Sequence, residues 1–146
     1  MGSLFTAVRN LDQGSVCRPG LHHNWTRQLD IHGLQDAQYL MGMMYFGGYG
    51  VGQSYAKARQ WWERAAAQGL PEAQHDLAVL YFKGFGVEKD YDKGRKYMTL
   101  ALSQDYPQAY HSFGVMYLKG IGVEKDETKA KNSFRVACEK GYKQAC

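Results

Sequence analysis

The apolar residues of this chain fall in two alternating patterns separated by glycine. Ala37, Met41, Met44 and Tyr45 stand at i, i+4, i+7 and i+8, which is one face of a helix. This spacing predicts a first helix from about Asp36 to Phe46. After the glycine-rich stretch Gly48–Gly52, Ala58, Trp61, Trp62 and Ala65 make a second stripe. That stripe predicts a second helix from about Tyr55 to Gln68.

The pair of patterns then returns with a period of 36 residues. Ala37, Ala73, Ala109 and Ala145 keep it, as do Tyr45, Tyr81 and Tyr117. Lys57, Lys93 and Lys129 keep it too, with Ala65, Ala101 and Ala137. Residues 72–107 and 108–143 share 14 identities in 36 positions without a gap, so the period is a true internal repeat. It divides the chain into repeats 36–71, 72–107 and 108–143 and a stub, 144–146. Trp25 and Gly33 lie 36 residues before Trp61 and Gly69, so 21–35 reads as a half repeat. The repeat domain is thus 21–146. Residues 1–20 carry no period and are expected to form a flexible lead-in.

Local signals punctuate each repeat. Ser54, Asp90 and Asp126 stand just before the second helices, where a side-chain oxygen can cap a backbone N–H. Lysine three residues later excludes the full capping box. Gly69, Asp105 and Gly141 follow the second helices and suit a left-handed cap. Pro71 and Pro107 come where proline ends a helix without breaking it. The glycine pairs Gly48/Gly50, Gly84/Gly86 and Gly120/Gly122 each precede a valine. They predict tight structural turns with positive φ between two closely approaching helices.

These residues resemble the Sel1-like repeat family, a relative of the tetratricopeptide repeats. The family pattern appears as Ala37, Met41-Gly42, Tyr45, Gly48-Tyr49-Gly50-Val51, Lys57-Ala58, Trp62, Ala65-Ala66 and Gly69. It returns as Ala109, Phe113-Gly114, Tyr117, Gly120-Ile121-Gly122-Val123, Lys129-Ala130, Phe134, Ala137 and Gly141. The middle repeat departs, with Ala78 and Asp105 for glycine and Gly94 for alanine. The resemblance implies an all-α fold, a right-handed α-solenoid of stacked helix-turn-helix repeats with a concave groove. It also implies an adaptor or scaffold that binds proteins, with bacterial immunity proteins that neutralise a secreted toxin as one variant.

Cys138 and Cys146 are eight residues apart across a helix–turn–helix junction. This is similar to the disulfide of a secreted cysteine-rich subgroup of the family. The alternative is a small buried thiol at 138 and a free end at 146. Cys17 is expected to stay unpaired. The same subgroup supplies the alternative function: a secreted repeat protein that binds a small cell-wall-type ligand or acts as a weak hydrolase.

Beside the core stripe runs a second one. Tyr39, His75 and His111 share a repeat position. Met43, Val79 and Val115 lie one turn further on, and Phe46, Phe82 and Leu118 follow. The first six residues are the candidate partner-binding groove, with packing between adjacent repeats as the other reading. Positions 46, 82 and 118 are assigned to packing. Gly48–Gly52 resembles a phosphate loop, but a helix rather than a strand precedes it and the turn recurs in every repeat. Trp25, Trp61, Trp62, Tyr97 and Phe134 read as core.

No Ser/His/Asp, Cys/His or paired-carboxylate arrangement stands out, so no catalytic residue, enzymatic activity or cofactor is expected. His22, His23, His75 and His111 offer no metal-ligand spacing.

Composition narrows the rest. Hydrophobic residues make up 45% and charged residues 22% of the 146, which excludes a wholly disordered chain. The net charge of +4 is too small to argue for nucleic acid. The lysines and arginines of the last repeat (Lys125, Lys129, Lys131, Arg135, Lys140, Lys143) are interleaved with acids, as on a solvated helix face. No stretch reaches the ~18 apolar residues of a membrane span. No signal peptide is visible. A cytoplasmic location follows if Met1 is the native start, and a periplasmic or secreted one if a leader was removed. A solenoid ending on an uncovered helix pair is expected to self-associate or to need a cap.

Overall fold

The structure, a computed structural model, describes residues 34–146. The lead-in 1–20, most of the half repeat 21–35, Cys17, His22, His23 and Trp25 lie outside the described residues. Among the described residues there are six α-helices and no strand. They are α1 (Leu34–Gly47), α2 (Tyr55–Ala67), α3 (Pro71–Lys83), α4 (Tyr91–Ser103), α5 (Pro107–Lys119) and α6 (Glu127–Glu139), followed by a 3-10 turn at Lys143–Ala145. The chain divides into two units, Met1–Leu70 and Pro71–Cys146.

In the first unit α1 packs against α2. Ala37, Met41, Met44 and Tyr45 of α1 meet Ala58 and Trp61 of α2, with Phe46 and Val51 packed against them. Turn and cap geometry follows the residue types. Ser54 Oγ accepts the backbone N–H of Lys57 at 3.2 Å, and Gly48 and Gly50 have φ of 70° and 73°.

The second unit carries two helix pairs, α3 with α4 and α5 with α6. Its core joins Ala78 and Phe82 of α3, Met98 and Ala101 of α4, and Ala109 and Met116 of α5. Asp90 and Asp126 cap α4 and α6 by accepting the N–H groups of Lys93 and Lys129, each at 3.0 Å. Asp105 takes the left-handed conformation at φ 58° where the flanking repeats have glycine.

The departures of the middle repeat from its neighbours have a steric reason. A Cβ on Gly42 would lie 2.2 Å from the Trp62 ring, and one on Gly114 would lie 2.7 Å from the Phe134 ring. In the middle repeat, Ala78 and Met98 hold the corresponding positions and share one core cluster. Glycine therefore faces an aromatic ring, and alanine faces the narrower methionine. Gly94 is the converse case, since a Cβ there would meet the Phe82 ring at 2.8 Å.

The repeated lysine and tyrosine also gain a role. Lys57, Lys93 and Lys129 place their ammonium groups over the rings of Tyr45, Tyr81 and Tyr117 at 5.1, 5.5 and 5.5 Å. These are cation–π contacts, one per repeat, and each ties a second helix to the first helix before it.

Beyond α6, Gly141 turns the chain at φ 105°, and the N–H of Tyr142 donates to the Ala137 carbonyl at 2.9 Å. Cys138 and Cys146 are joined in a disulfide, Cα to Cα 5.0 Å.

Candidate functional site

The second unit contains a cavity of about 230 Å³ whose walls come from both of its helix pairs. Val79, Phe82 and Lys83 of α3, Met98 of α4, His111, Ser112, Val115 and Met116 of α5, and Ile121 of the following turn line it. The helical period explains the selection. Positions 79 and 115 lie one turn from 75 and 111, on the helix side offset from the core stripe. Three residues of the predicted groove, Val79, His111 and Val115, therefore meet at one cavity.

His75 is not one of the residues that line the cavity; it bonds Ser112, which does, and is held on both ring nitrogens. Nδ1 lies 3.1 Å from Asp76 Oδ1, and Nε2 lies 2.7 Å from Ser112 Oγ. The Tyr106 ring meets the imidazole edge-on at 5.5 Å. The His75 side chain keeps 14% of its accessible surface. Burial, with the charges of Asp76 and Glu72 behind it, pushes the Tyr106 phenol up to about 12. His111 packs differently, between Phe134 at 5.4 Å and Tyr142 at 5.0 Å.

Tyr39 and Met43 belong to α1 in the first unit. The Tyr39 carbonyl accepts the Trp62 indole N–H at 3.1 Å, and its ring stacks on Trp62 at 6.2 Å. Met43 is 41% exposed. Positions 46, 82 and 118 diverge. Phe46 packs on Tyr55 at 5.1 Å and Phe82 on Tyr91 at 6.0 Å. Leu118 is instead 44% exposed, a correction to the packing expected of it. The residue matching Tyr55 and Tyr91 is Glu127, which offers no ring to cover the leucine.

Sequence reasoning found no Ser/His/Asp arrangement, whereas the structure brings Ser112, His75 and Asp76 into hydrogen-bond reach. The contact spans 37 residues and arises because α5 lies beside α3. No local motif could announce it, and the only signal is that 112 is the repeat equivalent of 76.

At the far end of the unit, Lys140 Nζ pairs with Asp105 Oδ1 at 3.1 Å. Lys140 and the Tyr110 hydroxyl, which donates to the same carboxylate, hold the Asp105 carboxyl below its ordinary range. Among the described residues no three His, Cys, Asp or Glu side chains are grouped so as to hold a metal ion. No helix there is long and apolar enough to cross a membrane.

Comparison with known proteins places this architecture. The Sel1 repeat family model matches residues 35–70, 71–106 and 107–142. No curated protein sequence matches the chain. Seventeen chains of solved structures match it, among them the following three. A protective antigen of uropathogenic Escherichia coli with an SLR fold is 33% identical at a TM-score of 0.74, over 99% of this chain and 32% of that one. A Sel1 repeat protein from Oxalobacter formigenes is 28% identical at a TM-score of 0.71, over 97% and 57%. Cysteine rich protein B of Helicobacter pylori is 21% identical at a TM-score of 0.64, over 91% and 97%, and shares the fold. The chain thus spans about a third of the length of the first relative and just over half of the second. Sel1-repeat proteins are generally protein-interaction scaffolds and typically non-catalytic. The fold class is the all-α helical-repeat solenoid, and the chain belongs to the Sel1-repeat family.

Proposed function

We propose that this protein is an interaction scaffold whose second unit takes an apolar side chain of a partner protein into the cavity between α3 and α5. The observation that carries this reading is the cavity itself. Its walls are Val79, Phe82, Met98, Val115, Met116 and Ile121, and a concave apolar site with a few polar groups at its edge is what anchors a bound side chain. Tyr39 and Met43 occupy the matching repeat positions on α1 and are proposed as further contact residues. The Cys138–Cys146 disulfide favours work in an oxidising compartment. Toxin binding by an immunity protein is the form of this reading that the family resemblance supports.

The test is site-specific photo-crosslinking. A benzophenone amino acid is placed at Val115, at Val79, or at the exposed Lys131 as a control, and the protein is exposed to extracts and secreted fractions of its host. A single partner crosslinked from 79 and 115, absent from 131 and displaced by unlabelled protein, supports the proposal. Crosslinks from 131 alone, or from none of the three, refute it.

A further inference from the structure

Ser112, which lines the same cavity, is linked to His75 and Asp76 in an arrangement capable of chemistry beyond binding. A carboxylate at Asp76 accepts, so the tautomer that satisfies this pair carries its proton on His75 Nδ1, 3.1 Å from Oδ1. In that tautomer Nε2 accepts, and Ser112 Oγ–H donates to it at 2.7 Å. These distances match a nucleophile held by its base and a base held by a carboxylate. Tyr106 packs on the imidazole and limits its rotation. Ser112 in turn lines the apolar cavity.

We propose that Ser112, His75 and Asp76 form an acyl-transfer site that hydrolyses carboxylic esters with a short apolar acyl group. The cavity, about 230 Å³, falls below the ~300–1,000 Å³ of pockets for drug-sized ligands, which suits an acyl chain of a few carbons. Ser112 Oγ attacks the ester carbonyl while its proton passes to His75 Nε2. The tetrahedral adduct collapses, the C–O bond to the alcohol breaks, and the imidazolium returns the proton to the leaving alkoxide. Water then attacks the acyl-serine, giving its proton to His75, and the carboxylic acid departs as Ser112 regains a proton. Asp76 is the positioning residue, fixing the tautomer and stabilising the imidazolium. Lys83 and His111 line the same cavity and carry N–H groups able to face the carbonyl oxygen. This activity does not depend on the scaffold reading, and the two can fail separately.

The experiment uses the full disulfide-bonded chain and two probes. Diisopropyl fluorophosphate phosphorylates an activated serine and leaves a mass tag that peptide sequencing locates. 4-Nitrophenyl butyrate and 4-nitrophenyl laurate report turnover and acyl length. The expected result is a tag on Ser112 and none on the exposed Ser103, with butyrate turned over faster than laurate. Ser112→Ala should abolish both signals. His75→Gln should lower the rate about 100-fold or more, the usual effect of a general base. Asp76→Asn should lower kcat with little change in KM and alter the pH profile, which a purely structural residue would not do. Ser112→Ala removes one oxygen and should keep its helical circular dichroism, so the test survives misfolding of the His75 variant. Equal tagging of Ser103 and Ser112, no tag at all, or butyrate hydrolysis retained in Ser112→Ala would overturn the proposal.

Discussion

The match between Gly42 and Trp62 makes a quantitative prediction. An alanine Cβ at 42 would fall 2.2 Å from both Cδ1 and Nε1 of Trp62. Carbon atoms in good contact are ~3.5–4.0 Å apart, so one group must move by more than an ångström. Trp62 is buried, and its indole N–H is committed to the Tyr39 carbonyl at 3.1 Å. Retreat of the ring therefore also strains a hydrogen bond. Overpacking of this kind costs ~1–3 kcal/mol, and the upper end applies to a pinned ring. Alanine regains ~1 kcal/mol of helix propensity over glycine. The net expectation for Gly42→Ala is a loss of about 2 kcal/mol, or a fall in Tm of about 6–10 °C at this chain length.

The middle repeat supplies the rescue. It carries Ala78 with Met98 where the first carries Gly42 with Trp62. Trp62→Met alone should destabilise, because it leaves a void and removes the bond to Tyr39. Added to Gly42→Ala, the same change should restore at least ~1 kcal/mol. Urea and thermal unfolding followed by circular dichroism on the four proteins of the cycle measure this directly. If Gly42→Ala is as stable as the parent, or Trp62→Met has the same effect in both backgrounds, the steric reasoning is wrong.

Three further outcomes are expected. Gly86 has φ 68°, so Gly86→Ala should cost about 1–2 kcal/mol from the left-handed backbone alone; an unchanged melting temperature would contradict this. The Cys138–Cys146 disulfide closes an eight-residue separation, so its reduction should lower stability by about 2.5 kcal/mol on the chain-entropy account. Intact mass should rise by about two daltons on reduction, two hydrogens being added, and no rise would mean that the thiols are free. The Tyr106 phenol ionises at about 12 in the folded protein against 10.0 ordinarily, so the unfolded chain gives up this proton first. Below pH 10.0 both states keep the proton, and stability should fall as pH rises from there toward 12. Tyr106→Phe should flatten that slope in urea midpoints, and an identical slope would assign the alkaline loss to other groups.

Much of this molecule was legible along the chain because its helices are local objects. Four-residue spacing, a capping oxygen and a glycine before a valine act within a few residues. The pattern at Ala37, Met41, Met44 and Tyr45 therefore placed a helix, which the structure extends to Leu34–Gly47. Ser54, Asp90 and Asp126 cap as their chemistry requires, and the in-phase repeat named the family. The same stripe brought Val79, His111 and Val115 into the candidate groove without showing that they share a cavity with Met98 and Ile121.

What remained hidden was contact between elements far apart in sequence. Exposure of Leu118 depended on Glu127 standing where two other repeats have tyrosine. The Ser112–His75–Asp76 arrangement depended on the lateral approach of α5 to α3. Periodicity reports which face of a helix a residue occupies. The partner that face meets is chosen by packing, whose geometry is set by side-chain volumes on both elements. Sequence alone thus determined the repeat, its helices and its turns. Tertiary structure decided which side chains converge, because convergence is a property of two surfaces and neither helix carries the other's shape.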